Sequence, residues 1–459
     1  MKKIKVIGGG LAGPEAAWQI AHRGLDVELY EMRPVRSTPA HQTSDFAELV
    51  CSNSLKSDSE NTAPWLLKEE MRRAGSLLID IARQVAVPAG HALAVDREVF
   101  ARRVTEAIER DPRIRIVREE VTAIDEQNDI TVIATGPLTS DALAHEIERL
   151  SASPDNPTAR LYFYDSISPI LEADSIDQSK VYMAARYDKG TADYINCPMT
   201  EADYNAFIDA LTSAESVEGH DWEKLNYFEG CLPIEEIARR GRDTLRFGPM
   251  KPVGLTDPRT GRWPYAAVQL RQENLRADSY NIVGFQNHLR FGEQARILRM
   301  IPGLENAKFL RYGQIHRNTY INAPTLLRES LQMKQYPNVL FAGQISGVEG
   351  YVESIATGQL AGIHASTIAQ SHEPIPAPRA TAFGSLVNYI CHAEAKHFQP
   401  ANITFDLLEH LDEATRGRIR DKKERHRLVC ERALQAADQW IRQLETTTPV
   451  PGTIPSRFP

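Results

Sequence analysis

Residues 3–31 read KIKVIGGGLAGPEAAWQIAHRGLDVELYE, and the order of features in this stretch decides the fold. The apolar run Ile4, Val6, Ile7 predicts a strand that enters Gly8-Gly9-Gly10-Leu11-Ala12-Gly13. A helical run follows, and Val27 and Leu29 predict a second strand ending on Glu31. This is the pattern of a dinucleotide-binding βαβ unit. Gly8 makes the tight turn, Gly10 lets the backbone approach a pyrophosphate, and Gly13 lets helix and strand pack closely. The helix N-terminus turns free N–H groups and its positive dipole end toward phosphate. Glu31 can accept hydrogen bonds from a ribose. A bare G-x-G-x-x-G is weak, since glycine turns are common, but here strand, helix and acid stand together in order.

Two further segments choose FAD over NAD. Residues 129–136, DITVIATG, form an apolar strand ending in Ala134-Thr135-Gly136. Residues 337–350, PNVLFAGQISGVEG, predict a strand that runs into a glycine-rich turn and then a helix from Tyr351 to Ala365. In two-part flavoproteins a late strand–turn–helix of this kind returns to the first sheet and covers the reactive end of the flavin. Gly343, Gly347 and Gly350 allow that close approach. Only one full G-x-G-x-x-G unit occurs, so no second Rossmann domain is expected for a nicotinamide, and NADH or NADPH as reductant would dock transiently over the flavin. The predicted fold class is α/β: a Rossmann-like FAD-binding domain of the two-part flavoprotein type, with an inserted α+β domain and C-terminal helices. The FAD-binding domain is expected to be discontinuous, 1–155 and 330–370. The insertion takes 158–325, helices occupy 380–445, and the Pro- and Thr-rich tail 446–459 is expected to be disordered.

At 459 residues the chain is too long for one ordinary core. No run of eighteen apolar residues occurs, so no membrane span is expected. The first apolar run is already the strand of the fold, which leaves no secretory leader. The five cysteines, Cys51, Cys197, Cys231, Cys391 and Cys430, are scattered, and no CxxC pair occurs. That argues against a metal site or a dithiol redox centre and for a reduced, cytoplasmic protein. The net charge of −8 does not advertise nucleic-acid binding, which must come from local basic patches.

Cys51 lies in LVCSNSLKS, about twenty residues beyond Glu31, on a loop expected near the cofactor. Cys231 lies in YFEGCLPIEEIARRG, just before a predicted helix over 234–240. A thiol at a helix start has a lowered pKa, which the neighbouring Glu229 would oppose. A lone cysteine is more often a buried small hydrophobe, and Cys197, Cys391 and Cys430 are read that way. Arg and Lys cluster at 239–246, 290–317 and 416–432; the last has eight cations against Asp421, Glu424 and Glu431, a local balance of +5. Phosphate contact is the functional reading and a solvated helix face the bland one.

LVCSNSLKS, YFEGCLPIEEIARRG, LRFGPMKPVGLTDPRTG, YNIVGFQNHLRFGEQ, RMIPGLENAKFLRYGQIHRNTYI and AGQISGVEGYVESIATGQLAG together resemble the folate- and FAD-dependent tRNA (uracil-5-)-methyltransferases. The resemblance implies a bacterial enzyme with FAD as cofactor, 5,10-methylenetetrahydrofolate as carbon donor and NADH or NADPH as reductant. It implies the T-loop uridine at position 54 of tRNA as substrate, with ribosomal RNA as the target of a paralogous group. It further implies Cys231 as the nucleophile at uracil C6. Cys51 would accept the C5 proton or protect the nucleophile, and His316, Arg317 and Tyr351 would line the pterin pocket. The rival resemblance is to flavoproteins that modify the tRNA wobble uridine, which are longer. A second rival is an FAD oxidoreductase with no RNA substrate.

Overall fold

The computed structural model describes residues 2–38, 40–151, 160–166, 168–188, 191–216, 232–313 and 315–447. Strand β1 (Ile4–Ile7), helix α1 (Ala12–His22) and strand β2 (Val27–Tyr30) form the N-terminal unit. They belong to a five-stranded sheet in the order Val339–Phe341, Ile130–Ile133, β1, β2, Ile114–Val117. Each of these pairings is parallel. Ile130–Ile133 and Val339–Phe341 are buried along their whole length, as strands covered on both faces require. The strand at 339–341 enters the sheet from far down the chain, which makes the dinucleotide-binding unit discontinuous.

The helix Tyr351–Ala369 is longer than the sequence predicts, and Val352 to Thr367 are all buried. It lies against α1 through two glycines. A Cβ at Gly358 would stand 2.4 Å from the Ala12 carbonyl oxygen, and one at Gly362 would stand 2.5 Å from that of Ala16. No larger residue lets the two helices come so close. Among the described residues, no helix is long and apolar enough to cross a membrane.

A second core, drawn from Leu171 to Ala307, lies in the inserted segment. Its six-stranded sheet runs Tyr182–Met183, Tyr194–Met199, Ala266–Gln272, Ser279–Ile282, Ile170–Glu172, Phe309–Arg311, with antiparallel pairing throughout. Helix Glu201–Thr212 starts in a capping box between Thr200 and Asp203, and it buries Tyr204, Phe207, Ile208 and Leu211 in that core. The chain leaves and returns through an antiparallel ribbon, Arg160–Ser166 against Ile315–Ile321.

The C-terminal helices share the first core rather than forming their own. Phe383, Leu386 and Trp440 belong to the same buried cluster as β1 and α1. The Trp440 indole N–H donates to the Ile375 carbonyl at 2.9 Å. Strand β3 (Ser54–Ser57) and helix α2 (Ala63–Arg73) follow the Cys51 loop, and α2 carries the last helix, Lys422–Thr447, through an Arg73–Asp438 ion pair of 2.9 Å.

Candidate active site

The glycine turn divides its work between packing and reception. Gly8 has φ +114°, and a Cβ there would stand 2.5 Å from the Ala134 carbonyl oxygen. A Cβ at Gly13 would stand 1.8 Å from the Gly8 carbonyl oxygen. Gly10 is the opposite case: a Cβ there would meet nothing within 4 Å, so its backbone faces open space. No side chain caps α1, which leaves N–H groups at its start free for an anion. The open cleft at this point is lined by Gly8, Gly9, Gly10, Leu11, Ala12, Glu31, residues 134–140, Gly343 and Tyr351. A bare backbone cradle, free helix N–H groups and a long apolar trough fit a dinucleotide. Gly13 sits beneath the turn. Gly347 (φ +91°) and Gly350 (φ +108°) shape the later loop without lining the cleft, Gly347 against the Phe398 ring and Gly350 against Lys56.

Glu31 lines the cleft, but its carboxylate is already engaged. Oε2 accepts from the Gly9 N–H at 2.7 Å and from Arg33 Nη2 at 3.3 Å. Oε1 accepts from the Arg33 backbone N–H at 2.9 Å and from Nε at 3.0 Å. Burial works to raise its pKa, yet the hydrogen bonds and charge of Arg33 hold it below the usual carboxylate range. Arg33 also reaches Glu48 at 3.2 Å. Beside them His41 lines the same cleft, pushed down to about 4 by burial and by the Arg33 charge. Arg33, His41 and Glu48 carry no motif, and the sequence reading passes over them. The one local signal is four charges and an imidazole within the seventeen residues that follow Glu31.

Cys51 is half-buried on the loop before β3. Its backbone N–H donates to the Tyr351 hydroxyl oxygen at 2.7 Å, and the Ser52 N–H donates to the same oxygen at 3.1 Å. Burial, and then the neighbouring Cys51, push the Tyr351 phenol far up, so it stays protonated. Its neighbour Val50 lines the cleft. The loop is pinned from the inserted segment as well. Asn53 is fully buried; its amide donates to the Val95 and Gln272 carbonyls at 3.0 and 2.9 Å, and its oxygen accepts from Arg271 Nε at 2.9 Å. Arg271 Nη2 donates to Ser52 Oγ at 2.7 Å. Arg97 donates to the Leu49 carbonyl at 2.6 Å and pairs with Glu273 at 2.8 Å. On the other flank Lys56 Nζ meets Glu353 at 2.6 Å and Asn402 at 2.5 Å.

Cys231 lies outside the described residues, as do Glu229 and Gly230. The chain resumes at Leu232, and Pro233 opens the helix Ile234–Arg239. The side chains of His316 and Arg317 are likewise outside what the structure describes. Cys197, Cys391 and Cys430 are buried, and burial pushes all three thiols up, the last two to about 12. They are inert packing groups. Among the described residues, no group of three His, Cys, Asp or Glu side chains could hold a metal ion.

The fold and the cleft define a Rossmann-type flavoprotein with its FAD-binding unit split by an insertion. The profile of the family described as glucose inhibited division protein A matches residues 3–373. The methylenetetrahydrofolate--tRNA-(uracil-5-)-methyltransferase TrmFO of Koribacter versatilis is 77% identical over 439 residues, covering 96% of this chain and 98% of that protein. The protein of the same name from Enterococcus faecalis is 55% identical, covering 97% of this chain and all of its own length. The chain therefore belongs to the folate- and FAD-dependent tRNA (uracil-5-)-methyltransferase family. The solved structure of Aquifex aeolicus GidA (form II crystal) superposes with TM-score 0.71 at 17% identity, covering 96% of this chain and 73% of that one. That likeness concerns the fold alone.

Proposed function

We propose that this protein transfers the one-carbon unit of 5,10-methylenetetrahydrofolate to C5 of the T-loop uridine at position 54 of tRNA, giving 5-methyluridine, with NADH or NADPH as reductant. Its relatives' names support the substrate class, and the reaction belongs in the cytoplasm, where thiols stay reduced. The observation that carries the reading is the position of Cys51, whose N–H is held by the hydroxyl of Tyr351 and which directly follows Val50; Tyr351 and Val50 both line a cleft that fits a dinucleotide.

FAD bound in the glycine cradle would supply two-electron chemistry. Gly10 and the start of α1 would hold its pyrophosphate, and Glu31, oriented by Arg33, would serve its ribose. The remaining work belongs to thiols and bases of the chain. The Cys231 thiolate bonds to uracil C6, and the C5=C6 electron pair moves onto O4 as an enolate. C5 then bonds to the incoming carbon; loss of the C5 proton to a base expels the nitrogen that delivered that carbon, and a hydride equivalent originating in NADH or NADPH reduces the resulting exocyclic methylene to a methyl group. Two roles fit Cys51: acceptor of that proton, or cover for the Cys231 sulfur between turnovers. Once the carbon has been reduced to a methyl group, departure of the Cys231 sulfur restores C5=C6. The target base must leave its stack to reach the cleft, so an extruded uridine is part of the proposal.

The test is a digest of unmodified tRNA incubated with methylenetetrahydrofolate, NADPH and the protein. We expect 5-methyluridine at position 54 with the wild type, and none with Cys231→Ala, which keeps its flavin. Normal turnover by Cys231→Ala overturns the nucleophile assignment. NADPH oxidation that ignores tRNA and leaves it unmodified points instead to an oxidoreductase without an RNA substrate.

A further inference from the structure

The three basic stretches of the sequence part company once their side chains are placed. In the first, Arg239 pairs with Glu236, Arg242 with Asp209 at 2.6 Å and Arg246 with Asp243 at 3.1 Å. In the second, Arg290 pairs with Glu215 at 2.9 Å, Arg296 with Glu293 at 2.6 Å and Lys308 with Glu172 at 3.1 Å. Those cations are already neutralised. The third stretch is different at its N-terminal end. Arg416, Arg418, Arg420, Lys422 and Lys423 are all exposed, and their side chains make no hydrogen bond or ion pair with the described residues. The single acid among them, Asp421, accepts from the Lys423 backbone N–H at 3.1 Å.

Such a ridge is costly when it stands alone. Like charges crowd one another, and Lys422 and Lys423 open a 26-residue helix at the dipole end that disfavours cations. A local rule broken on an exposed surface is expected where an external partner resolves it. The ridge is also rigid. His426, one turn into the same helix, stacks on Phe405 with ring centroids 3.6 Å apart, and Trp440 anchors its far end.

The same stack fixes where the ridge lies. Phe405 follows Asn402, which bonds Lys56 at 2.5 Å on the flank of the Cys51 loop. Three residues of chain, one ring stack and one helical turn therefore separate the ridge from the site's rim, a reach of about 30 Å at most. That is less than one turn of duplex, about 34 Å.

We infer that the Arg416–Lys423 ridge is the docking surface for the phosphodiester backbone of the RNA whose uridine enters the cleft. This rests on the tRNA reading above. The ridge contacts phosphates and carries no base specificity, so it sets affinity and salt dependence and leaves flavin chemistry alone.

The experiment compares the wild-type holoenzyme with the variant R416Q/R418Q/K422Q/K423Q. Binding of unmodified tRNA is followed by fluorescence anisotropy from 50 to 300 mM KCl, and KM for tRNA is measured beside NADPH reduction of the flavin without RNA. We expect a loss of affinity of at least tenfold, a log–log salt slope shallower by about four, and unchanged flavin reduction. The charge-conserving variant R416K/R418K/K422R/K423R should bind like the wild type. R239Q/R242Q/R290Q/R296Q, which removes as many cations from the paired stretches, should stay within twofold. Wild-type affinity and slope in the first variant overturn the inference while tRNA methylation by the wild type leaves the functional reading standing, even if that variant loses binding to phosphatidylglycerol vesicles. A wild type that neither binds nor methylates tRNA overturns both.

Discussion

Gly10→Ala and Gly13→Ala should fail in opposite ways, because the two glycines meet different surroundings. At Gly13 the added methyl would stand 1.8 Å from the Gly8 carbonyl oxygen, and both partners are backbone. Neither can swing aside, so the turn and α1 must separate by more than 1 Å, at a cost of about 3 kcal/mol or more. At Gly10 the methyl would meet no atom within 4 Å, and the residue does not adopt a positive φ. The apoprotein should change stability by less than about 1 kcal/mol there. The same methyl, however, occupies the approach of the pyrophosphate. Losing one charge-assisted hydrogen bond to it costs about 1.5–3 kcal/mol, which weakens FAD binding about 10- to 150-fold. Urea unfolding of the two apoproteins and titration by flavin fluorescence quenching separate the effects. Gly13→Ala should lower the urea midpoint. Gly10→Ala should keep the midpoint and lose the cofactor. Wild-type FAD affinity in Gly10→Ala, or equal destabilisation by both, would refute the division of labour.

Tyr351→Phe removes the oxygen that accepts from the Cys51 and Ser52 N–H groups. Each stranded donor costs about 1–3 kcal/mol, so kcat for 5-methyluridine should fall at least tenfold with the flavin retained; an unchanged kcat sinks the positioning role. Arg271→Met strips Ser52 and Asn53 of their donor from the insertion, and amide exchange at residues 51–54 should quicken while the sheet around β1 stays protected. Stability should fall as pH rises from 6.5 to 8. Burial raises Glu15 to about 7 and Glu70 to about 8, so over this window the native state holds protons that the unfolded chain has released. His364 and His41, pushed down to about 4 by burial, and Lys68, pushed down to about 8, act with the opposite sign; the imidazole effect fades above 6.5 and the Lys68 effect sets in towards 8, so together they reduce the decline. Urea unfolding at the two ends should show a net fall in stability of about 1 kcal/mol, abolished or reversed in Glu15→Gln/Glu70→Gln, and a wild-type stability that rises would count against buried neutral carboxyls.

What could be read from the sequence was local. The glycine turn, the strand at 130–133 and the late turn that opens the helix at Tyr351 all rest on residues a few positions apart. Their reading required only period and turn chemistry. Gly358 and Gly362 could not be interpreted this way, because their meaning is the partner helix α1, whose distance in sequence hides the contact. Glu31 is an intermediate case. Its place after β2 announced a ribose acid, while Arg33, two residues on, already occupies both oxygens. The motif names the acid and says nothing of the arginine that holds it.

The Cys51 loop shows the same limit at the candidate site itself. Cys51 meets Tyr351 across 300 residues, Arg271 meets Asn53 across 218, and Lys56 meets Asn402 across 346. None of these pairs has a periodic or capping signature, since topology alone brings them together. The consequence is mechanical. The insertion, whose sequence includes Cys231, also grips the Cys51 loop through Arg271 and through Glu273 on Arg97. A shift of the inserted sheet is therefore felt at Cys51. Loosening that grip should disturb the Cys51 loop before it disturbs the proposed FAD cradle, which is lined by β1, α1 and the late loop on the other core.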